Sequence, residues 1–198
     1  MDTINREELY KKNVTIYLEA NPNPNSLKFV ANFMLVPEGD SFDFPDKKSA
    51  SESELANALF SYDYVKRVFI MSNFVTVTKD DEVSWDEIKD ELKVSIQEFL
   101  LSEKEVIEED AAPSNQIGAD DPEPVKKIKV ILDEYVKPAV EQDGGAIIFD
   151  SFNEGIVKLQ LQGSCSGCPS STVTLKAGIE NLLKSMMPEV ESVEAENI

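Results

Sequence analysis

One stretch near the middle of the chain, residues 102–121, shows no sustained apolar periodicity and divides the sequence into two parts. It is acidic, contains small residues and a proline, and reads SEKEVIEEDAAPSNQIGADD. A segment of this composition buries too little apolar surface to offset the entropy that is lost on ordering. The sequence therefore predicts a flexible acidic linker between an N-terminal domain, 1–101, and a C-terminal domain, 122–198, each close to the lower size limit for independent stability.

The N-terminal part alternates between strand-like and helix-like patterns. The turn clusters NPNPN and MSN each join two strands into a hairpin, and the strands are predicted at 14–20, 27–35, 65–70 and 74–78. Helices are predicted after Ser53 and after Ser84, where Glu87 would complete a capping box. Trp85 is expected to anchor the core. These patterns indicate a compact α+β domain in which no residues have catalytic spacing.

The C-terminal part predicts a second small domain with the order α-β-β-α-β. Apolar residues recur at helical spacing over 123–142, and Pro138 is expected to bend that helix. Strands follow at 146–152 and 156–162, then a helix that begins at Pro169, and a last strand at 190–196. Asp143, Gly144 and Gly145 are interpreted as a structural turn that ends the first helix, not as ligands. The predicted fold class is therefore α+β, with two small two-layer α/β domains.

Both cysteines of the chain, Cys165 and Cys168, lie between a predicted strand and a predicted helix, in GSCSGCPSSTVT. Thiolates three residues apart can face one metal centre when the loop between them is tight, and Gly167 adopts a positive φ without strain. The following helix directs N–H groups and its positive dipole end at the sulfurs, which lowers thiol pKa values and stabilises an anionic ligand. Cys165 and Cys168 are thus candidate metal or redox residues.

Three interpretations of this pair remain open on spacing alone. A thioredoxin-like dithiol pair also lies at a helix start after a strand, although here Pro169 follows the pair and the strand arrives through a hairpin. A structural zinc site needs four ligands, and an iron–sulfur cluster is commonly held by four thiolates. Because the chain has two cysteines and no histidine, either metal site would need a second copy of the chain about a two-fold axis.

Composition excludes several other classes of function. The lack of histidine rules out a Cys₂His₂ zinc site and a Ser-His-Asp triad. The net charge of −19 argues against nucleic acid and against an anionic membrane surface as partners. No apolar run is long enough to span a membrane. Residues 1–13 lack the apolar core of a secretory signal and the Arg/Ser-rich composition of a transit peptide, so a cytoplasmic protein is expected.

Ordered motifs in both parts resemble Nfu-type NifU-like proteins. The N-terminal motifs resemble the Nfu domain, and they are PNPNSLKF at 22–29, LANALF at 55–60, VKRVFI at 65–70 and FVTVTK at 74–79. The C-terminal motifs resemble the NifU domain, and they are KPAVEQDGGAIIF at 137–149, GIVKLQLQGSCSGCPSSTVTLKAGIENLL at 155–183 and PEVESVEA at 188–195. Two departures are Lys137, where many members have arginine, and the absence of a proline before Leu55-Ala56.

The resemblance implies a scaffold or carrier for iron–sulfur clusters. It implies that Cys165 and Cys168 bind a [4Fe–4S] cluster, and therefore iron, that bridges two protomers of a homodimer. Its partners would be apo iron–sulfur proteins, which receive the cluster, and the cluster assembly machinery. No turnover chemistry is visible in the sequence, so the chain is not expected to be an enzyme. The alternative function is thioredoxin-like dithiol/disulfide exchange at the same pair.

Overall fold

The computed structural model describes residues 13–102, 104–108, 121–166 and 169–197, with the backbone alone at 169–172 and 197. Contacts within the chain divide it into two compact units. The first holds the described residues up to 108 except Asn21–Asn23, and the second holds Asn21–Asn23 and the described residues from 121 onward. The expected α+β class with two small domains is confirmed. The boundaries 1–101, 102–121 and 122–198 stay a prediction, because much of the linker lies outside the described residues.

The first unit is built on an antiparallel sheet. In the described part of the chain its strands follow the order β1-β2-β5-β4-β3, and they are β1 Ile16–Ala20, β2 Ser26–Ala31, β3 Ser41–Phe44, β4 Val65–Met71 and β5 Phe74–Lys79. Both predicted hairpins are confirmed, since β1 pairs with β2 and β4 with β5. The strand predicted over 27–35 ends earlier, at Ala31, whose backbone N–H already donates to the carbonyl of Asn73 at the β4–β5 turn.

Two helices, α1 Glu54–Leu59 and α2 Trp85–Leu101, contribute buried apolar residues to the core of the first unit. Ser53 caps α1 by accepting from the backbone N–H of Ala56 at 3.0 Å. Ser84 caps α2, but its hydroxyl accepts from Asp86 at 3.3 Å and not from Glu87, so the expected capping box does not form. Trp85 packs against the core as expected, and its indole N–H donates to the carbonyl of Pro24 at 3.0 Å.

The first described residues of the predicted linker are held by the first unit. The half-buried side chains of Val106 and Ile107 pack against its apolar core. The Ser53 hydroxyl donates to the carbonyl of Val106 at 2.7 Å, and the backbone N–H of Glu108 donates to the carbonyl of Glu52 at 3.0 Å. Residues 104–108 are therefore an ordered extension of this unit, because two adjacent apolar side chains bury enough surface to hold them.

The second unit confirms the expected α-β-β-α-β order. Its elements are α3 Glu123–Ile131, a π-helical turn Leu132–Val136, α4 Lys137–Gln142, β6 Gly145–Asn153, β7 Ile156–Gly163, α5 Pro169–Met186 and β8 Ser192–Asn197. Within the described residues, β6 pairs antiparallel with β7, and β7 pairs parallel with β8. The π-helical turn ends two residues before Pro138, whose ring prevents a regular α-helical bond to the preceding turn, and this accounts for the predicted irregularity.

The core of the second unit lies where its helices meet its sheet. Its fully buried residues come from α3, β7, α5 and β8, and they include Ile128, Leu159, Leu183 and Val193. Cys165 belongs to the same buried cluster. Among the residues that the structure describes, no helix combines the length and the apolar character needed to cross a membrane.

Candidate functional site

Cys165 lies in a turn, residues 164–166, that directly follows β7. Its side chain is 5% exposed, so the thiol faces the interior of the second unit. Cys168, the other predicted ligand, lies outside the described residues, as does Gly167. The assignment of both cysteines as cluster ligands therefore stays a prediction, and the structure adds the surroundings of one of them.

The end of β7 sets the direction of this turn. Gly163 has φ +64°, a left-handed conformation that residues with a side chain rarely adopt. Its carbonyl accepts from the backbone N–H of Ser166 at 3.2 Å, which closes the turn around Cys165. Ser164 and Ser166 are both buried, so the residues on either side of the thiol are also held inside the unit.

The turn at Asp143–Gly145 contacts the Cys165 turn directly. The backbone N–H of Ser164 donates to the carbonyl of Gly144 at 3.2 Å, and the Ser164 hydroxyl donates to the carbonyl of Asp143. The hydroxyl oxygen of Ser164 also lies 3.9 Å from Cys165 Sγ. The interpretation of residues 143–145 as a structural turn near the site agrees with this geometry, while the part played by Ser164 was not expected from the sequence.

Helix α5 begins at Pro169, as predicted, directly after the cysteine segment. A helix of this length, 18 residues, has a positive dipole end at its first turn. The positive end of α5 is therefore the end that follows the cysteine segment in the chain. A positive helix end favours thiolates and anionic ligands.

The far half of α5 is fixed to the sheet by a carboxylate. Glu180 accepts a hydrogen bond from Lys184 Nζ at 2.6 Å and another from the backbone N–H of Val193, in β8, at 3.0 Å. The hydrogen bond from Lys184, followed by that from Val193, lowers the pKa of Glu180 below its usual value. The helix that follows the cysteines is therefore tied to the strand that closes the sheet.

Within the described ranges, no three carboxylate, thiol or imidazole side chains converge in a way that could hold a metal ion. The chain contains two cysteines and no histidine, so it can offer two thiolates to a cluster and no imidazole. Thiolates are the usual protein ligands of iron–sulfur clusters, so the donor type fits such a group.

Comparison with protein families gives two matches in the chain. Residues 16–103 match the model described as scaffold protein Nfu/NifU N terminal. Residues 128–194 match the model described as NifU-like domain. This range includes both cysteines. The order of the two matches along the chain is the order that the sequence motifs predict.

Curated relatives match most of the chain. The protein named NFU1 iron-sulfur cluster scaffold homolog, mitochondrial, of Drosophila persimilis is 43% identical over 93% of this chain and 66% of its own length. The protein of the same name from Drosophila grimshawi is 44% identical over 90% of this chain and 60% of its own length. The chain thus spans less than two thirds of the length of these relatives. A solution structure of a NifU-like protein from Saccharomyces cerevisiae covers 56% of this chain and 94% of its own, with 25% identity and a TM-score of 0.45.

These comparisons correct the expected location. The names of the relatives place them in mitochondria, so the expectation of a cytoplasmic protein is wrong. That expectation rested on the composition of residues 1–13. The local composition of so short a segment does not determine the compartment in which a folded protein works.

Proposed function

Because this chain belongs to the family of Nfu-type NifU-like proteins, we propose that it is an iron–sulfur cluster scaffold and carrier. Cys165 and Cys168 of two protomers hold a [4Fe–4S] cluster between them, and the protein hands this cluster to apo-proteins. The assembly machinery that supplies the cluster is its other partner. The observation that carries the proposal is the position of Cys165, held between the end of β7 and the positive end of α5, within a segment that matches the NifU-like domain model.

The number of thiols in the chain supports a cluster shared by two protomers. A four-iron cluster commonly has four thiolate ligands, and one chain contains two cysteines. A two-fold axis through the cluster would bring together two identical cysteine segments and supply all four thiolates. Each protomer then contributes half of the ligands, so separation of the protomers would release the cluster.

Transfer proceeds by ligand exchange without a change of oxidation state. A thiolate of the receiving protein forms a bond to an iron of the cluster, and the bond from that iron to Cys165 or Cys168 breaks. The released cysteine thiolate takes up a proton from water. Repetition at each iron moves the whole cluster, and a site held by only two ligands per chain suits this stepwise release.

Single cysteine variants test the proposal. We expect Cys165→Ala and Cys168→Ala each to bind about tenfold less iron and sulfide than the parent does on anaerobic reconstitution. Each substitution removes two of the four ligands of a shared cluster. Ser185→Ala, on an exposed face of the same helix α5, is the matched control and should bind as the parent does. Circular dichroism checks that all variants remain folded.

Two results would contradict the proposal. Retention of a full cluster by either cysteine variant would exclude a cluster bridged by all four thiolates. The dithiol alternative predicts instead that the parent leaves iron unbound while Cys165 and Cys168 cycle between thiols and an intramolecular disulfide. Titration of free thiols during reduction and reoxidation distinguishes these outcomes.

A further inference from the structure

Gly145, the first residue of β6, lies directly against Cys165. It pairs with Gly163 across the β6–β7 ladder. A Cβ atom at position 145 would lie 2.6 Å from the carbonyl oxygen of Gln162, 2.9 Å from Cys165 Sγ and 3.3 Å from the Cys165 backbone nitrogen. Two of these three neighbours are backbone atoms, which cannot turn away as the end of a flexible side chain can. The space occupied by the Cys165 thiol therefore exists because residue 145 has no side chain.

The adjacent glycines 144 and 145 are needed for different reasons. Gly144 has φ +78°, so its backbone conformation itself favours glycine. Gly145 is not among the glycines with positive φ, and alanine could adopt its backbone conformation without strain. Position 145 therefore requires glycine because a side chain there would collide with the Cys165 thiol and with nearby backbone atoms.

Further contacts hold the backbone of the thiol in place. The two hydrogen bonds from Ser164 to the carbonyls of Gly144 and Asp143 fix the residue before Cys165. Ser164 is 2% exposed, and Cys165 packs into the apolar cluster of the unit. Because protein interiors are close-packed, a group added between these parts displaces one of them.

We propose that Gly145 is a positioning residue for the cluster ligand Cys165: its missing side chain fixes where the thiol lies. The part of this proposal that concerns cluster binding rests on the function proposed above, whereas the position of the thiol does not. A ligand held in place before binding loses less conformational entropy when it binds. Gly145 therefore acts on cluster binding through the position of Cys165.

The first test measures the reactivity of the thiol without any cluster. Cys168→Ser serves as the parent, so that Cys165 is the single thiol, and its alkylation by iodoacetamide is timed under native conditions. We expect Gly145→Ala to raise the alkylation rate about tenfold, because overpacking at 145 displaces the sheltered thiol. Gly178→Ala is the matched control, since a Cβ atom at that position in α5 meets nothing within 4 Å, and its rate should equal that of the parent.

A general loss of stability must be separated from a local effect. Ile128→Val removes one methyl group from the core of the same unit, so it lowers the stability of that unit and should leave the alkylation rate unchanged. Ser164→Ala removes the hydroxyl bond to Asp143 and should raise the rate severalfold, which keeps the test open if Gly145→Ala does not fold. The proposal is overturned if folded Gly145→Ala reacts as slowly as the parent, or if Ile128→Val reacts as fast as Gly145→Ala. If Gly145→Ala does not fold, the proposal is overturned when Ser164→Ala reacts at the parent rate.

The second test measures cluster binding with both cysteines present. Gly145→Ala should bind several-fold less iron and sulfide than Gly178→Ala, and the visible spectrum of the cluster that remains should be altered. Faster alkylation together with parent-like cluster binding and spectrum would contradict a role in ligand positioning. If no variant and no parent binds a cluster, the proposed function fails, while the alkylation rates still decide whether Gly145 positions the thiol.

Discussion

At the scale of single residues, the glycines of the second unit differ in what requires them. Gly155 lies in the β6–β7 turn with φ +81°, next to Glu154 with φ +48°, as expected for a two-residue hairpin turn. Its carbonyl also accepts from the backbone N–H of Glu191 at 2.7 Å. A Cβ atom there would lie 2.8 Å from Cγ of Glu191. Both conformation and space therefore favour glycine at this position.

Substitution of Gly155 should destabilise the second unit. We expect Gly155→Ala to lower the free energy of unfolding by about 1–3 kcal/mol, since it introduces left-handed strain and a close contact. Gly178→Ala, in an exposed part of α5, should raise it by about 0.5–1 kcal/mol through helix propensity. Urea unfolding of both variants measures the difference. Equal stability of the two would contradict the described conformation of the turn.

The site residues show what sequence reasoning can and cannot find. Cys165 and Cys168 stand out because two thiols three residues apart form a local pattern with few explanations. Gly145 and Ser164 do not stand out, because their importance depends on the pairing of Gly145 with Gly163, residues far apart in sequence. The glycine pair after a predicted helix was the available signal, and it identified a turn without showing which residue the turn contacts.

At the scale of elements, the link between α5 and β8 predicts a pH dependence. The pKa of Glu180 is lower in the folded chain than its usual value, chiefly because of the hydrogen bond from Lys184. A group with a lowered folded pKa stabilises the fold fully above its unfolded pKa, and this contribution is lost as pH falls through the folded pKa. The side chain of Glu180 thus stabilises the second unit at neutral pH and ceases to do so in acid.

A substitution at Glu180 measures that contribution. Glu180→Gln should lower the melting temperature at neutral pH, and the gap from the parent should close as the pH falls below the usual carboxylate range. Glu189→Gln removes a charge at an exposed position after the same helix and should show a smaller gap at neutral pH. A Glu180→Gln gap that stays constant down to strongly acidic pH would contradict the ionised hydrogen bonds described for this side chain.

Elements were predictable where the signal is local. Alternating strands, turn clusters and helical spacing predicted both hairpins of the first unit and the order of the second. The ends of elements were less predictable, as for β2, which stops at Ala31 where its backbone bonds to the β4–β5 turn. The ordered residues 104–108 were also missed, because two apolar residues in an acidic stretch show no periodicity, and only the tertiary core explains their burial.

At the scale of the whole molecule, each unit has an apolar core made of its own residues. The buried residues of one core lie between Val14 and Leu100, and those of the other between Ile128 and Val193. The net charge of −19 means that a homodimer brings together two strongly acidic chains. Their repulsion opposes association, and salt screens it within about 10 Å at 0.1 M ionic strength.

Salt should therefore favour the cluster-bridged dimer. We expect the dimer fraction of the reconstituted protein to rise as sodium chloride is raised from low to moderate concentration, measured anaerobically by sedimentation. Sucrose at matched osmolality is the control and should not reproduce the rise. A dimer fraction that falls with salt would mean that attraction between opposite charges holds the protomers together. This would contradict the expected repulsion between two acidic chains.

A cluster shared by two protomers is tested most directly by the native mass of the anaerobically reconstituted protein, measured together with its iron and sulfide content. The proposed function predicts a dimer with about four irons and four sulfides per two chains, the composition of one four-iron cluster held by four thiolates. It also predicts that loss of the cluster to an apo-protein returns the dimer to separate chains. A single chain that holds a complete cluster, or a dimer that contains zinc and no sulfide, would contradict it.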